Sequence, residues 1–394
     1  MIMAVVTGVR DTNNILTANQ NNRLKIDMSE KIALLQPSAT PFITFLKRAK
    51  GNTEAAKNPK FSWFEDDLGA RWDALNMAGN AAADATKIIF DTGGIFSVGD
   101  IVKVPRTGEC FTITAVDPDG DNANEFTVVR GYGSTAAAII NNDDPLVIIG
   151  NANQEGAGVR TIKSTQEVEV YNYTQIWRTP FGVTNTQNAS DFYGGSDLSY
   201  QQKKKGIEHA RDIARSFLFG ELKLDTTGTH PKRTTKGLLG FLSENNYAAG
   251  GALTQAEFDT NVAEVCFKYG SKEKLMLCSA RVLSTINTWA LGKLQIQQDE
   301  TTFGLAVVKY VSPFGILNLV HEPMFEGAIY GGYAAILDVE NIKYRPLKGR
   351  DTKLNTNIQA NDTDGRTDEY ITEAGLEVRS AKTHAIVTGV TGAT

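Results

Sequence analysis

Two stretches that read as halves of one long hairpin lie far apart in this chain, and their separation limits the folds open to it. The first runs between Gly51 and Gly79. It is rich in small and polar residues but carries Phe61, Trp63, Phe64 and Trp72, with residues 61 and 63 on one face of a strand. The return half is EVEVYNYTQIW, where Val168 and Val170 alternate with charged neighbours before Tyr171, Tyr173, Ile176 and Trp177 add bulk. Between them, residues 86–150 hold four short strand signals separated by turns: FSVGDIVKV, GECFTITAV, EFTVVRG and DPLVIIG. This pattern predicts a small inserted all-β domain that needs no helix to close. With PDGD at residues 118–121 as a hairpin turn, Phe111, Ile113 and Ala115 share a face and Val128 returns on the partner strand.

On either side the pattern changes. Residues 1–50 carry seven Lys/Arg against three Asp/Glu in an Asn- and Thr-rich stretch, which reads as an extended basic arm. Its apolar cluster, ATPFITFLKR, sets Phe42, Ile43, Phe45 and Leu46 behind a proline, and such a cluster needs a surface to cover. The strongest helix signal is YQQKKKGIEHARDIARSFLFGEL, in which Ile207, Ala210, Ala214, Phe217, Leu218 and Leu222 recur at spacings of three and four. Thr254 and Glu257 form a capping box ahead of Phe258, Val262, Val265 and Tyr269, predicting a second helix, and a third begins at Ser279. KYVSPFGILNLVHEP and AIYGGYAAILDVENIKY read as strands of a mixed sheet, and TEAGLEVRSAKTHAIVTGV as a closing hairpin. The fold class is α+β, and no repeat of solenoid length is present.

A chain of 394 residues exceeds the usual single core, so two or three packed units are expected. With 41% hydrophobic and 22% charged residues and a net charge of -5, it reads as a soluble globular protein and not as one dedicated to condensing nucleic acid. The opening apolar run is too short for a signal peptide, no transmembrane segment is visible, and the chain is expected to stay where it is made. Cys110, Cys266 and Cys278 form neither a CxxC pair nor a metal-like spacing. They are expected as reduced, small buried hydrophobes.

Chemistry finds little footing. His209, His230, His321 and His384 are scattered, without the spacing of a zinc site. Asp117, Asp119 and Asp121 resemble the start of a calcium loop, but glycine falls at its fourth position and Val128 at its twelfth, so a plain turn is expected. The glycine-rich RGYGST and YGGYAA lack the lysine of a phosphate loop. Neither a GxSxG elbow nor an HExxH pair occurs, so no enzyme, cofactor or metal is predicted. Lys203, Lys204 and Lys205 read either as a solvated helix face or as sequence-independent contacts to a nucleic-acid backbone. The hairpin aromatics read either as packing within one chain or as contacts to a neighbour.

The order of these parts, carried by PSATPFITFLKR, PKFSWFEDDL, NYTQIW with the helix after it, ILDVENIKYRPL and the closing strands, resembles the major capsid protein of tailed phages with the Hong Kong 97-like fold. The likeness is to a family whose extended loop carries an inserted β domain. It implies an N-terminal arm (1–51), an extended loop (52–85 and 151–185), the inserted domain (86–150), a peripheral domain with a spine helix (186–250 and 334–394) and an axial domain (251–333). It further implies hexamers and pentamers that close an icosahedral or prolate head around double-stranded DNA, assembled in the host cytoplasm. Scaffolding, portal and decoration proteins are the implied partners, with no membrane. Some relatives cross-link a lysine to an asparagine. Lys57 and Lys60 lie in the loop without a marked partner, so non-covalent assembly is expected. The arm is too short for a cleaved scaffolding segment. Intersubunit contacts are then assigned to Phe42, Phe45, Phe61, Trp63, Phe64 and Trp72, and DNA-facing charge to Arg10, Arg23, Lys25, Lys203, Lys204 and Lys205. The rival reading from another class is a phage or host-surface adhesion protein, with the β domain as its recognition module.

Overall fold

Alternation of apolar and polar residues builds the first strand, β1 (Lys60–Glu65), whose Phe61 and Trp63 are buried while Ser62 and Phe64 are exposed. The computed structural model describes residues 41–48, 51–116, 122–190, 196–291 and 308–392. A short helix, α1 (Pro41–Arg48), precedes β1. After β1 come β2 (Trp72–Ala74), β3 (Lys87–Ile89), β4 (Asp100–Lys103), β5 (Cys110–Val116), β6 (Glu125–Val129) and β7 (Pro145–Asn151). They form a six-stranded sheet in the order β2-β7-β4-β5-β6-β3, antiparallel throughout. The chain returns on β8 (Val168–Tyr173), which pairs with β1, and continues into β9 (Gln175–Thr184).

Residues 64–170 form one compact unit, and residues 1–63 with 171–394 another. The smaller unit closes without a helix among its described residues, because one face of its sheet buries Phe90, Phe96, Val102, Phe111, Ile113, Phe126, Val128 and Leu146 together. Phe90 stacks on Phe96 with ring centres 3.8 Å apart, and Phe126 meets both edge-on. All four strand signals form strands. The unit is wider than residues 86–150, however, since β2, assigned from sequence to the extended loop, pairs with β7. Ala115 is only half-buried because the β5–β6 register shifts between Ile113 and Ala115. The turn at 118–121 and the run Asp117, Asp119, Asp121 lie outside the described residues.

In the larger unit the spine helix, α2 (Asp197–Phe219), packs on a sheet of β9, β17 (Ile342–Pro346), β18 (Lys353–Asn355) and the 14-residue β19 (Gly365–Val378). Its buried residues His209, Ile213, Ala214, Phe217 and Leu218 meet the sheet through Trp177 and Tyr344, each ring edge-on to Phe217. Gly206 admits the Tyr370 ring, whose hydroxyl donates to the carbonyl of Gln202 at 3.3 Å. The helix starts at Asp197 and not at Tyr200, so the three lysines lie beyond its first turn, away from the positive end of the helix dipole. A hairpin of β10 (Lys223–Asp225) and β11 (Lys232–Thr234) follows the helix.

The second sheet orders β12 (Asn246–Ala248), β20 (Ala385–Thr388), β16 (Ala334–Leu337), β13 (Glu273–Cys278), β15 (Ile316–His321) and β14 (Val308–Val311). Its pairings are mixed, with β13–β15 and β12–β20 parallel. The expected closing hairpin is therefore corrected: β19 and β20 belong to different sheets. Ser380, at φ 53°, and the turn Ala381–Thr383 redirect the chain where a tight hairpin turn would have kept the strands paired. Part of AIYGGYAAIL is also helical, at Gly327–Tyr330.

The Thr254–Glu257 capping box is present, and Ser279 caps the third helix by accepting a bond from the backbone of Val282. Val265 and Tyr269, expected in the core, are exposed instead. A π-helical turn at Asp259–Ala263 inserts one extra residue, so Phe258, Val262, Ala263 and Cys266 face inward. Val265→Asp should therefore change stability by less than about 0.5 kcal/mol, whereas Cys266→Asp should lower it by roughly 3 kcal/mol or more, as urea unfolding of the purified chain would measure. Equal effects would contradict the phase shift.

Candidate functional site

The apolar cluster of the arm finds its cover on its own chain. Phe42, Ile43 and Leu46 are buried, Phe45 is half-buried, and the Phe42 amide donates to Glu322 Oε2 at 3.3 Å. Lys47 places its ammonium 4.8 Å from the centre of the Tyr344 ring and 3.6 Å from Asp351. Phe42 is thus a core residue of its own subunit, which corrects its assignment as a contact. Glu322 is fully buried, and burial raises its carboxyl from 4.5 to about 7, opposed by the amides of Met324 and Phe42. Arg10, Arg23 and Lys25 lie outside the described residues.

At the root of the β1–β8 ribbon, Phe61 lies on the bare backbone of Gly375, where a Cβ would come within 2.6 Å of its ring. The Arg345 guanidinium covers Phe61 at 5.5 Å, and Trp63 packs on Phe241 at 6.0 Å. Phe61 and Trp63 therefore also leave the set of contact residues, since what neighbours were expected to cover is already covered. Phe64 and Trp72, at 72% and 58% exposure, keep their surface open. Lys60 sits 4.3 Å from the Tyr171 ring centre, and Lys57 is exposed.

Beside this root, β19 turns a row of glutamates away from the spine helix. Glu369, Glu373 and Glu377 alternate with small or apolar residues on that face, all buried, and each holds an arginine. Arg178 gives Nε and a terminal nitrogen to Glu369 at 2.9 and 2.7 Å; Arg350 gives Nε to Glu373 at 2.5 Å; Arg379 gives Nε to Glu377 at 2.5 Å. Arg233 approaches Glu373, and Arg345 bridges Glu377 and Glu54. Hydrogen bonds from Lys343 and Arg345 hold the Glu54 carboxyl near 2. Glu54 thereby fastens the loop root to β17, where residues 53 and 56 bridge in parallel to Tyr344 and Leu347.

The three lysines of α2 do not make one patch, because successive helical residues point about 100° apart. Lys205 is paired with Glu208 at 2.6 Å, while Lys203 is exposed and Lys204 half-buried. His209 bonds Thr179 and Thr372 through its two ring nitrogens, each at 2.8 Å, and burial lowers its pKa. His384 accepts from the Asp338 amide and donates to the Arg379 carbonyl, and burial lowers it to about 4. Cys266 and Cys278 are buried free thiols with raised pKa values, and Cys110 is half-buried. Among the described residues no cluster has the make-up of a metal site, and no helix is long and apolar enough to cross a membrane. Sequence reasoning missed the glutamate row. The spacing Glu369, Glu373, Glu377 at every fourth residue of an apolar-rich strand was its available signal.

The family model described as SU10 major capsid protein matches residues 10–391. The major capsid protein of Pseudomonas phage PaMx41 is 27% identical over 293 residues, covering 71% of this chain and 69% of that one. That of Escherichia phage Phieco32 is 30% identical over 126 residues, covering 27% and 36%. Among solved structures, the capsid of a native GTA particle aligns over 95% of this chain and 98% of its own, at 9% identity and a TM-score of 0.49. A Mycobacterium phage Bobi chain aligns over 97% and 99%, at 8% identity and a TM-score of 0.49. The class these sequence matches define is the coat subunit of a phage head. The chain belongs to the SU10 major capsid protein family, and its place is the capsid of the virion.

Trp63→Ala should destabilise the isolated subunit by about 3 kcal/mol or more, and Phe64→Ala by under about 0.5 kcal/mol, in thermal or urea unfolding. The reverse order would return Trp63 to the surface. Because the folded chain binds the Glu322 proton more tightly than the unfolded chain does, this group's contribution to stability is full below pH 4.5 and is lost as pH rises through about 7. Glu322→Gln should remove that pH dependence and raise stability at pH 8 by about 3 kcal/mol, as paired urea titrations at pH 5 and pH 8 would read. An unchanged slope would place the titration elsewhere.

Proposed function

We propose that this coat subunit assembles in the Hong Kong 97-like manner, through non-covalent hexamers and pentamers that close a head around double-stranded DNA. What carries the reading is a family match over nearly the whole chain together with an architecture of the expected parts: a helix-bearing arm, a paired ribbon, a spine helix on a sheet, and a second mixed sheet. In this reading the extended loop expected at residues 52–85 and 151–185 is the β1–β8 ribbon, which reaches over a neighbour, and the chain between its two strands forms the β unit. Residues 186–250 and 334–394 act as the peripheral domain, and residues 251–333 as the axial domain. Phe64 and Trp72 supply contacts to neighbours, and Phe45 a smaller one. Lys203 and Lys204, with Arg10, Arg23 and Lys25 of the arm, supply sequence-independent attraction to packaged DNA. Scaffolding, portal and decoration proteins are its further partners. Many modest contacts suffice, because closure multiplies each of them. The adhesion reading has no observation in its favour.

Electron microscopy of the purified chain, alone and with a co-expressed scaffolding protein, should show capsomer rings or closed shells. Stable monomers at high concentration in both preparations would refute the assembly. Removal of residues 1–40 should leave the subunit's melting temperature within a few degrees of its original value and reduce closed shells, whereas removal of residues 1–48 should also lower the melting temperature, because Phe42 and Leu46 leave the core.

A further inference from the structure

The arm helix α1 joins the two sheets of the larger unit. Its first turn lies at the end of β15, where the Phe42 amide donates to Glu322 Oε2 at 3.3 Å. Its last turn lies over β17, where Lys47 stands 4.8 Å from the Tyr344 ring centre and 3.6 Å from Asp351. A helix of eight residues is not stable by itself in water, so α1 owes its order to this docking and to the burial of Phe42, Ile43 and Leu46.

Glu322 is fixed from the other side. Its backbone amide donates to the Cys278 carbonyl at 2.9 Å and its carbonyl accepts from the Phe325 amide at 3.0 Å, which binds the residue into the second sheet and the turn after β15. The carboxyl is fully buried, and both groups that bond it are neutral: the Phe42 amide at Oε2 and the Met324 amide, 3.4 Å from Oε1. The charged groups of the surrounding elements are directed elsewhere. His321 and Glu326 are exposed, Arg281 donates to the Val390 carbonyl, and Lys47 is about 7 Å further along the axis of α1. A carboxylate shut away from water without a cation is strongly disfavoured, whereas the neutral acid is tolerated there. Of the segments that meet Glu322, β13 and β15 are strands of the second sheet; α1 belongs to neither sheet and is the one that can leave.

We propose that Glu322 is a proton-operated catch for the arm: neutral, it keeps α1 across the two sheets, and ionised, it makes α1 lift away so that water reaches the carboxylate. Burial sets the working range, raising this carboxyl from 4.5 to about 7 against the two amides. The docked form therefore binds the proton more tightly than the lifted form, so docking is firmest below pH 4.5 and weakens as pH rises through about 7. The far end of α1 does not share this response. Burial opposes ionisation of Asp351, but the Tyr344 hydroxyl, the Lys47 charge and Thr352 together hold its carboxyl below 3.8. His209, in the field of Lys47, is lowered by burial and stays uncharged as the pH rises. Residues 1–40 enter the fold through α1, so the catch governs the point from which the arm departs. The inference concerns the single subunit and stands independently of the shell-forming reading.

The test follows amide hydrogen exchange of the purified full chain at pH 5.5 and pH 8.5 by mass spectrometry, each rate being divided by that of an unfolded peptide at the same pH. Protection of residues 42–48 is expected to fall roughly tenfold or more at the higher pH while β13 and β16 keep theirs. Glu322→Gln is expected to keep residues 42–48 protected at both, and His321→Gln to behave as the unaltered chain does. Unchanged protection in the unaltered chain, an equal fall in Glu322→Gln, or a fall shared by β13 and β16 overturns the catch. A response lost in His321→Gln assigns the proton to that ring and overturns it too. Should Glu322→Gln not fold, infrared titration of the unaltered chain labelled with carbon-13 glutamate decides. A carboxyl ionising near 7 in step with exchange at residues 42–48 supports the proposal, and no glutamate ionising above pH 6 overturns it.

Discussion

One strand with two different faces organises the larger unit. On one side of β19, Thr372, Ala374, Leu376 and Val378 are buried toward the spine helix and its surroundings; on the other, three carboxylates lie buried in a row. A buried carboxylate without a cation is strongly unfavourable, so each glutamate requires its arginine, and the arginines come from β9, β17 and the turns around them. The ion pairs thus dictate which segments gather around β19. Replacing one partner of such a pair leaves a charge stranded.

On the helix side the polar contacts are few and linked. His209 sits midway along α2 between two threonine hydroxyls. Thr372 donates onward to Thr352, whose hydroxyl also accepts from Lys47 of the arm helix at 3.4 Å. With Thr372 donating away from it, His209 must carry its proton on Nε2 and accept at Nδ1 from Thr179. Burial, which lowers its pKa, maintains that neutral tautomer. Arm helix, sheet and spine helix therefore share one chain of hydrogen bonds.

Elements with strong local signals were legible in the sequence. The amphipathic period of the spine helix, the Thr254–Glu257 capping box and the four strands between Phe96 and Gly150 all follow from spacing alone. What was not legible depends on partners remote in sequence. The aromatic residues Phe42, Phe61 and Trp63 were correctly seen to need cover, but that Glu322, Gly375 and Phe241 supply it is knowledge of the fold, with no trace in local pattern. The π turn after Phe258 is invisible to a period of 3.6 residues, which is why Val265 was misplaced while Val262 was not. The last two strands look like a hairpin in sequence, but Ser380's left-handed backbone and the turn Ala381–Thr383 send them apart.

The seat of Phe61 has a mechanical consequence. A ring resting on bare main chain and roofed by a guanidinium covers peptide groups that sliding would expose to water. The ribbon is accordingly a beam fixed at its wall. Because the seat is made of main chain, every copy of the chain carries the same joint at Gly375.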